Sequence, residues 1–242
     1  MGTLHSLVPS PGAALPAALR RAAGQPVLLE QLCGADRQRF LDRCTELSFR
    51  PRDTIFSQGL PTSAAFVIVE GLVRTYYLSP VGREVTMAFW SNGDLIGGPA
   101  LFGERPRHIW SAQAMGPTRV LAISTRALKQ LAEELPAVAL AIIDALSFKL
   151  HWVSLMLQTM GTESVTQRLA TLLLRLSETY GEPSPEGTVI RYPFSQADLA
   201  SMVGATRPWV STTFGRLQKE GIVAMRSRRI VIIRLAKLKE ML

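Results

Sequence analysis

Cysteine is scarce in this chain: Cys33 and Cys44 are the only two among 242 residues. Two cysteines make no disulfide framework, and they fall short of the ligand set that an iron–sulfur cluster usually takes. Such usage fits a reducing compartment, so a cytoplasmic location is expected. Histidine is nearly as rare, with three. Also missing are HExxH, a phosphate loop, a Ser/His/Asp order and a convincing pair of carboxylates, so an enzyme is not expected. The start of the chain lacks the long apolar run of a signal peptide. Acids are the minority charge, 19 against 27 Lys+Arg, and the net is +8. The rest is an ordinary globular balance, 47% hydrophobic, with length for one large or two small domains around a real core.

Residues 1–26 are rich in Ala, Pro and Gly and read as a loose arm. A helix is expected over Leu28–Leu47, with Leu28, Leu32, Phe40, Leu41 and Leu47 as its apolar contacts. From Ser48 to about Ser124, short β-rich runs alternate with turn residues. They cover 54–56, 65–69, 72–78, 84–90, 94–96, 110–114 and 118–123, with Gly59, Gly71, Gly82, Gly93 and Gly116 between them. Even spacing with glycine corners predicts a small antiparallel β-barrel or jelly roll.

After Leu128, Leu131 and Leu135 the longest apolar helix starts at Pro136 and runs to about Met160. Ile143, Leu146, Leu150, Val153 and Leu157 recur at alternating intervals of three and four, the spacing of a coiled-coil seam. A membrane span would carry Asp144, Lys149 and His151 near its middle at a cost of several kcal/mol, so no membrane partner is expected. A dimer seam and the buried helix of a monomer both remain open. Gly161 and Thr162 read as a hinge, with Thr162 a cap for an amphipathic helix over 163–180.

The stretch from Phe194 to Ile222 carries the strongest functional signal. Ser195 can cap a short helix with Leu199, Met202 and Val203 on one face. Gly204 permits a turn. Thr206 can cap a second helix, with Pro208 in its first turn and Val210, Phe214 and Leu217 on one face. The opposite face carries Arg207, Trp209, Ser211, Thr212, Arg216 and Lys219. Two helices on a glycine turn make a helix-turn-helix, although a plain helical hairpin would share the pattern. The residues C-terminal to it separate the two: Gly221, then strands at 222–224 and 230–233 around the basic tip Arg226-Ser227-Arg228-Arg229. A recognition helix followed by a basic hairpin is a winged helix. From Arg191 onward ten Lys+Arg face three acids, so nearly the whole net charge lies here, as phosphate binding requires. Double-stranded DNA is the expected partner, met by Ser195, Gln196, Thr206, Arg207, Trp209, Ser211, Thr212, Arg216, Lys219, Arg228 and Arg229.

The runs Glu70-Gly71-Leu72-Val73-Arg74, Gly82-Arg83-Glu84-Val85-Thr86 and Asn92-Gly93-Asp94-Leu95-Ile96-Gly97, with the helix-turn-helix and wing, resemble the cyclic AMP receptor/FNR (Crp/Fnr) superfamily of bacterial transcription regulators. The likeness covers roughly Gln31 to Leu242. It implies an α+β chain: a cyclic-nucleotide-binding-type sensor barrel over 27–135, a dimerisation helix over 136–161 and a winged-helix DNA-binding domain over 162–242. It further implies a homodimer on a palindromic site, with RNA polymerase a candidate partner.

In nucleotide-binding members a Gly-Glu pair and, about ten residues on, an Arg-Ser pair hold the ribose and the cyclic phosphate. Aligned without gaps, Gly98 stands where the carboxylate belongs, and His108 and Ile109 stand where Arg-Ser belongs. Pro99 also removes a backbone donor, while Arg105 or Arg107 would supply a guanidinium only if the loop shifts. Gly97, Gly98, Leu101, Arg107, His108 and Ile109 are therefore the expected pocket. Cyclic AMP is not its expected ligand; an unknown effector or none remains open. No cofactor or metal is expected. Haem, used by some members, has candidate ligands in Cys33, Cys44, His5, His108 and His151, but no haem-attachment spacing occurs. The expected function is a sequence-specific regulator. The alternative is a signalling or scaffold protein that binds a small molecule and holds nucleic acid only loosely.

Overall fold

The computed structural model describes residues 27–82, 84–98, 101–103 and 107–242. The arm expected over 1–26, which includes His5, lies outside these residues, as do Arg83, Pro99 and Arg105.

Two short helices open the described chain, α1 (Leu28–Gln31) and α2 (Gly34–Leu41). They replace the single helix expected to reach Leu47. That residue lies in strand β1 (Thr45–Phe49), where it pairs with Val120. Strands follow as β2 (Thr54–Phe56), β3 (Ala64–Glu70), β4 (Leu72–Leu78), β5 (Glu84–Ser91), β6 (Leu95–Ile96), β7 (Ser111–Ala114) and β8 (Thr118–Ser124). They form two antiparallel sheets, ordered β1-β8-β3-β6 and β2-β7-β4-β5. The sheets stack as a jelly-roll-like sandwich and do not close into the expected barrel. Period-two alternation lets β3 and β8 serve two cores at once. Phe66, Ile68 and Val120 fill the space between the sheets. Ala65, Val67, Leu121 and Ile123 turn outward to the helices.

Helix α3 (Thr125–Glu134) starts where Ser124 Oγ accepts from Ala127 N at 3.1 Å. Helix α4 (Pro136–Thr162) has the length and apolarity to cross a bilayer, yet one face packs on the β domain. Val138, Ala141, Ile142 and Ala145 lie against the outer core, and Phe148 and Trp152 against the inner one. Lys149 Nζ donates to Leu95 O and sits 4.3 Å from the Trp90 ring centroid. Burial pushes its pKa down to about 8, opposed by the charge of Asp94. The other face is bare: Ile143, Leu150, Val153 and Leu157 are 54%, 68%, 43% and 71% exposed.

The expected hinge at Gly161-Thr162 is instead the last turn of α4. The break comes at Glu163, whose φ of −106° and ψ of 141° are extended. Ser164, not Thr162, caps α5 (Val165–Tyr180), in a capping box with Gln167. After α5 comes a hairpin of β9 (Gly181–Ser184) and β10 (Gly187–Ile190). Then come α6 (Gln196–Val203), α7 (Arg207–Lys219), β11 (Val223–Arg226), β12 (Arg229–Ile232) and α8 (Leu235–Lys239). Strands β9 to β12 form one sheet, ordered β11-β12-β10-β9. Its core is continuous with the β domain, because Leu72 and Phe89 pack into it. Phe89 meets Phe194 edge-on at 4.7 Å.

Candidate nucleic-acid interface

Helix α6 opens on a reciprocal capping box. Asp198 N donates to Ser195 Oγ at 3.1 Å, and Ser195 N donates to the Asp198 carboxylate at 2.8 Å. Two orphan donors of the first turn are thereby satisfied. Leu199, Met202 and Val203 are buried as expected. Gly204 then takes φ 70°, ψ 30°, a left-handed turn that would strain any residue with a Cβ. Thr206 Oγ1 accepts from Trp209 N at 3.4 Å to cap α7.

Helix α7 buries Val210, Thr213, Phe214 and Leu217. Thr206, Arg207, Ser211, Thr212, Arg216 and Lys219 are exposed on the opposite side. Trp209 is a correction: it is partly buried and packs on the winged-helix core. Gln196 is half-buried. Arg207, Arg216, Lys219, Arg228 and Arg229 have no ion pair among the described residues, so their charge is open to an anionic partner.

The wing is tighter than the four-residue tip expected. Arg226 and Arg229 are the last pair of the β11–β12 ladder, and only Ser227 and Arg228 form the turn. Both have positive φ, 48° and 65°. Such two-residue turns favour Asn-Gly, so a Ser-Arg pair is strained. Arg226 is engaged with Glu186 at 3.0 Å. Arg229 borders a cleft of about 330 Å³ shared with Gly71, Leu72 and Met115 of the β domain. Arg228 alone stands at the tip.

Sequence reasoning misses how this module is fastened to the β domain. Ser201 Oγ lies 2.6 Å from Thr86 Oγ1, which accepts from Arg74 Nε at 2.7 Å. Arg74 also pairs with Glu84 at 2.9 Å, and Tyr180 Oη donates to Phe89 O at 3.1 Å. The partners of the Thr86–Ser201 bond are 115 positions apart, which no local pattern could announce.

The expected small-molecule pocket is only partly assembled. Gly97 and Gly98 take φ of 150° and 95°, and His108 Nδ1 would lie 3.8 Å from a Cβ on Gly98. His108 is buried and stacks on Phe56 at 4.0 Å, and its Nδ1 has no hydrogen-bond partner. Burial lowers its pKa, against a hydrogen bond to the Gly97 backbone that raises it, so the ring is neutral at pH 7. Leu101 belongs to the outer core. Arg107 and Ile109 point away: Arg107 Nη1 donates to Gly59 O at 2.6 Å, and Ile109 is 51% exposed. Among the described residues no group of His, Cys, Asp and Glu could hold a metal ion. Cys33 and His151 are exposed, while the Cys44 thiol, bonded to Phe40 O at 3.2 Å, is pushed up to about 12 by burial.

Two family models match the chain: a cyclic nucleotide-binding domain over residues 46–134 and a Crp-like helix-turn-helix domain over 167–241. The chain is 26% identical over 185 residues to the global nitrogen regulator of Synechococcus elongatus, covering 76% of this chain and 83% of that protein. It is 27% identical to regulatory protein HlyX of Actinobacillus pleuropneumoniae, covering 76% of each. Among solved structures, FixK2 from Bradyrhizobium japonicum matches with a TM-score of 0.71 at 25% identity, over 82% of this chain and 96% of that one. A CRP-family transcriptional regulator from Thermus thermophilus matches with a TM-score of 0.68 at 26% identity, over 81% and 95%.

Proposed function

Because this chain belongs to the Crp/Fnr superfamily of transcription regulators, we propose that it works as a homodimer whose two α7 helices read a palindromic DNA site. The observation that carries the reading is the exposed, unpaired basic face of α7, backed by its buried apolar face. The first two turns of α7 present Arg207, Ser211 and Thr212 to base edges. Arg216, Lys219 and Arg228 suit phosphates. The bare stripe of α4 is the dimer seam, in which Ile143, Leu150, Val153 and Leu157 meet their counterparts and Leu146 lies at the margin. Two helices about 34–36 Å apart then enter successive major grooves. RNA polymerase is a natural further partner of such a regulator, and the cytoplasm its place of work. No catalytic role is assigned to any residue.

The β domain acts as the sensor, but not of cyclic AMP or cyclic GMP. A neutral, buried His108 offers no charge where a guanidinium would clamp the phosphate, and Gly98 offers no carboxylate. A lost charge-assisted contact weakens such binding by about tenfold or more. Calorimetry should therefore detect no submicromolar binding of either nucleotide.

The DNA reading is tested by selecting preferred sites from random duplexes, then comparing selected and scrambled DNA over a range of salt. Thr212→Ala or Arg207→Ala should relax one position of the preferred half-site at a cost of about 1–3 kcal/mol. Equal affinity for selected and scrambled DNA at every salt concentration would favour a scaffold that holds nucleic acid loosely.

A further inference from the structure

Where the β domain, α4 and the winged-helix module meet lies a small, partly open cavity that the DNA-reading function leaves unexplained. Its walls come from all three parts: Phe89 and Trp90 of β5, Phe148 and Trp152 of α4, and Arg175, Thr179 and Tyr180 of α5 among them. About 40 Å³ is open to the centres of water molecules. One water needs about 10–15 Å³ on that measure, so the space suits about three waters or an anion of three or four heavy atoms.

The chemistry of the walls is lopsided. Five of the lining residues are aromatic and none is acidic. Arg175 Nη1 is buried and has no hydrogen-bond partner, and its guanidinium lies 5.7 Å from the Trp152 ring centroid. The other nitrogen and hydroxyl donors of the rings are already engaged. Trp90 Nε1 donates to Thr75 Oγ1 at 2.9 Å, Trp152 Nε1 to Met87 O at 3.4 Å, and Tyr180 Oη to Phe89 O at 3.1 Å. Lys149 adds a second cation behind Trp90. Glu178, the nearest acid along α5, is exposed and does not line the cavity. A buried guanidinium nitrogen without an acceptor is costly, and most such groups in native proteins find a partner.

We propose that this cavity is a binding site for a small monovalent anion, held by Arg175 between the β domain, α4 and the winged-helix module. A spherical halide or a planar carboxylate of formate size meets the volume, and either supplies the missing acceptor. This site is separate from the His108 pocket and does not depend on which DNA sequence is read.

Trp90 and Trp152 are built-in reporters. The full-length protein is titrated with bromide, a quencher, at constant ionic strength, with gluconate as the oversized counter-anion. Tryptophan emission should show a saturable component above the linear collisional one, and formate, which does not quench, should reverse it. Arg175→Gln should weaken the saturable component about tenfold or more. Thr179→Met, which fills the cavity and keeps the charge, should abolish it and secures the test if Arg175→Gln does not fold. Quenching that is linear in bromide and equal in all variants would overturn the proposal, leaving water as the occupant. So would saturation that survives both substitutions, because the anion would then bind elsewhere.

Discussion

Arg228 shows how a residue's backbone state and its task can pull apart. Its φ of 65° follows a Ser227 at 48°, so both central residues of the wing turn are left-handed. Glycine takes that conformation without the clash of a Cβ, whereas a residue with a side chain gives up about 1 kcal/mol or more there. An arginine kept in this position is a candidate for a role outside the fold. Arg228→Gly should therefore raise the stability of the protein by up to about 1 kcal/mol in urea unfolding. The same substitution should weaken binding to every DNA sequence alike and lower the salt slope by about 0.9. A variant that loses stability would show that the arginine is held by contacts within the fold. Such residue-level facts are unevenly legible in the sequence. The capping roles of Ser195 and Thr206 and the left-handed Gly204 can be read from residue type, because each acts on its own neighbours. The Ser164–Gln167 box has the same local signature, but Thr162 beside Gly161 competes with it as a cap candidate. Lys149 reads as a charge in an apolar helix; its burial depends on Leu95 and Trp90, which only the fold brings near.

At the scale of elements, alternation and helical spacing carry most of the information, and their failures share one cause. The strands from β2 to β8 are legible because each keeps its period against a sheet. Leu47 reads as helical because a leucine spacing continues smoothly from α2 into β1; pairing with β8 decides the matter. Gly161 reads as a break, yet a glycine costs a helix only about 1 kcal/mol, and α4 runs through it. Trp209 falls on the outer face only when α7 is divided too sharply in two. Exposure makes the proposed seam of α4 testable with less ambiguity than sequence allows. Leu150 and Leu157 are 68% and 71% exposed, so a charge at either leaves the folded chain undisturbed. Leu150→Asp or Leu157→Asp should keep the helical circular dichroism and shift sedimentation at low micromolar concentration toward the monomer, because two facing carboxylates would be forced out of water. A variant still dimeric under those conditions would place the seam elsewhere.

For the whole molecule, the joint between the β domain and the winged-helix module decides how one part can influence the other. The sequence indicates the order of the parts, but it is silent on the joint, whose contacts join residues far apart in the chain. Phe89 and Leu72 extend one apolar core across it, while Arg74, Thr86 and Ser201 form a polar bridge. Thr86→Val keeps the side-chain shape but strands the Arg74 Nε–H and breaks the bridge to Ser201, whose hydroxyl keeps its bond to Asp198 O. Its expected cost is about 1–3 kcal/mol. Hydrogen exchange should rise along α6 and near the Glu163 break, with the strands between the sheets unaffected. Exchange that rises first in β3 and β8 would mean that Thr86 serves the sandwich alone.

The bare stripe on α4 also has a consequence for gene dosage. If two chains must close over Leu150 and Leu157 before two recognition helices can act together, the active species is made by collision. Far below the dimer dissociation constant its amount follows the square of the chain's total concentration, and a twofold rise in synthesis gives about a fourfold rise in DNA-competent protein. Far above that constant the relation is linear. The strength of one apolar stripe would thus determine whether a cell that makes more of this protein obtains a graded or an amplified response, before any effector is bound.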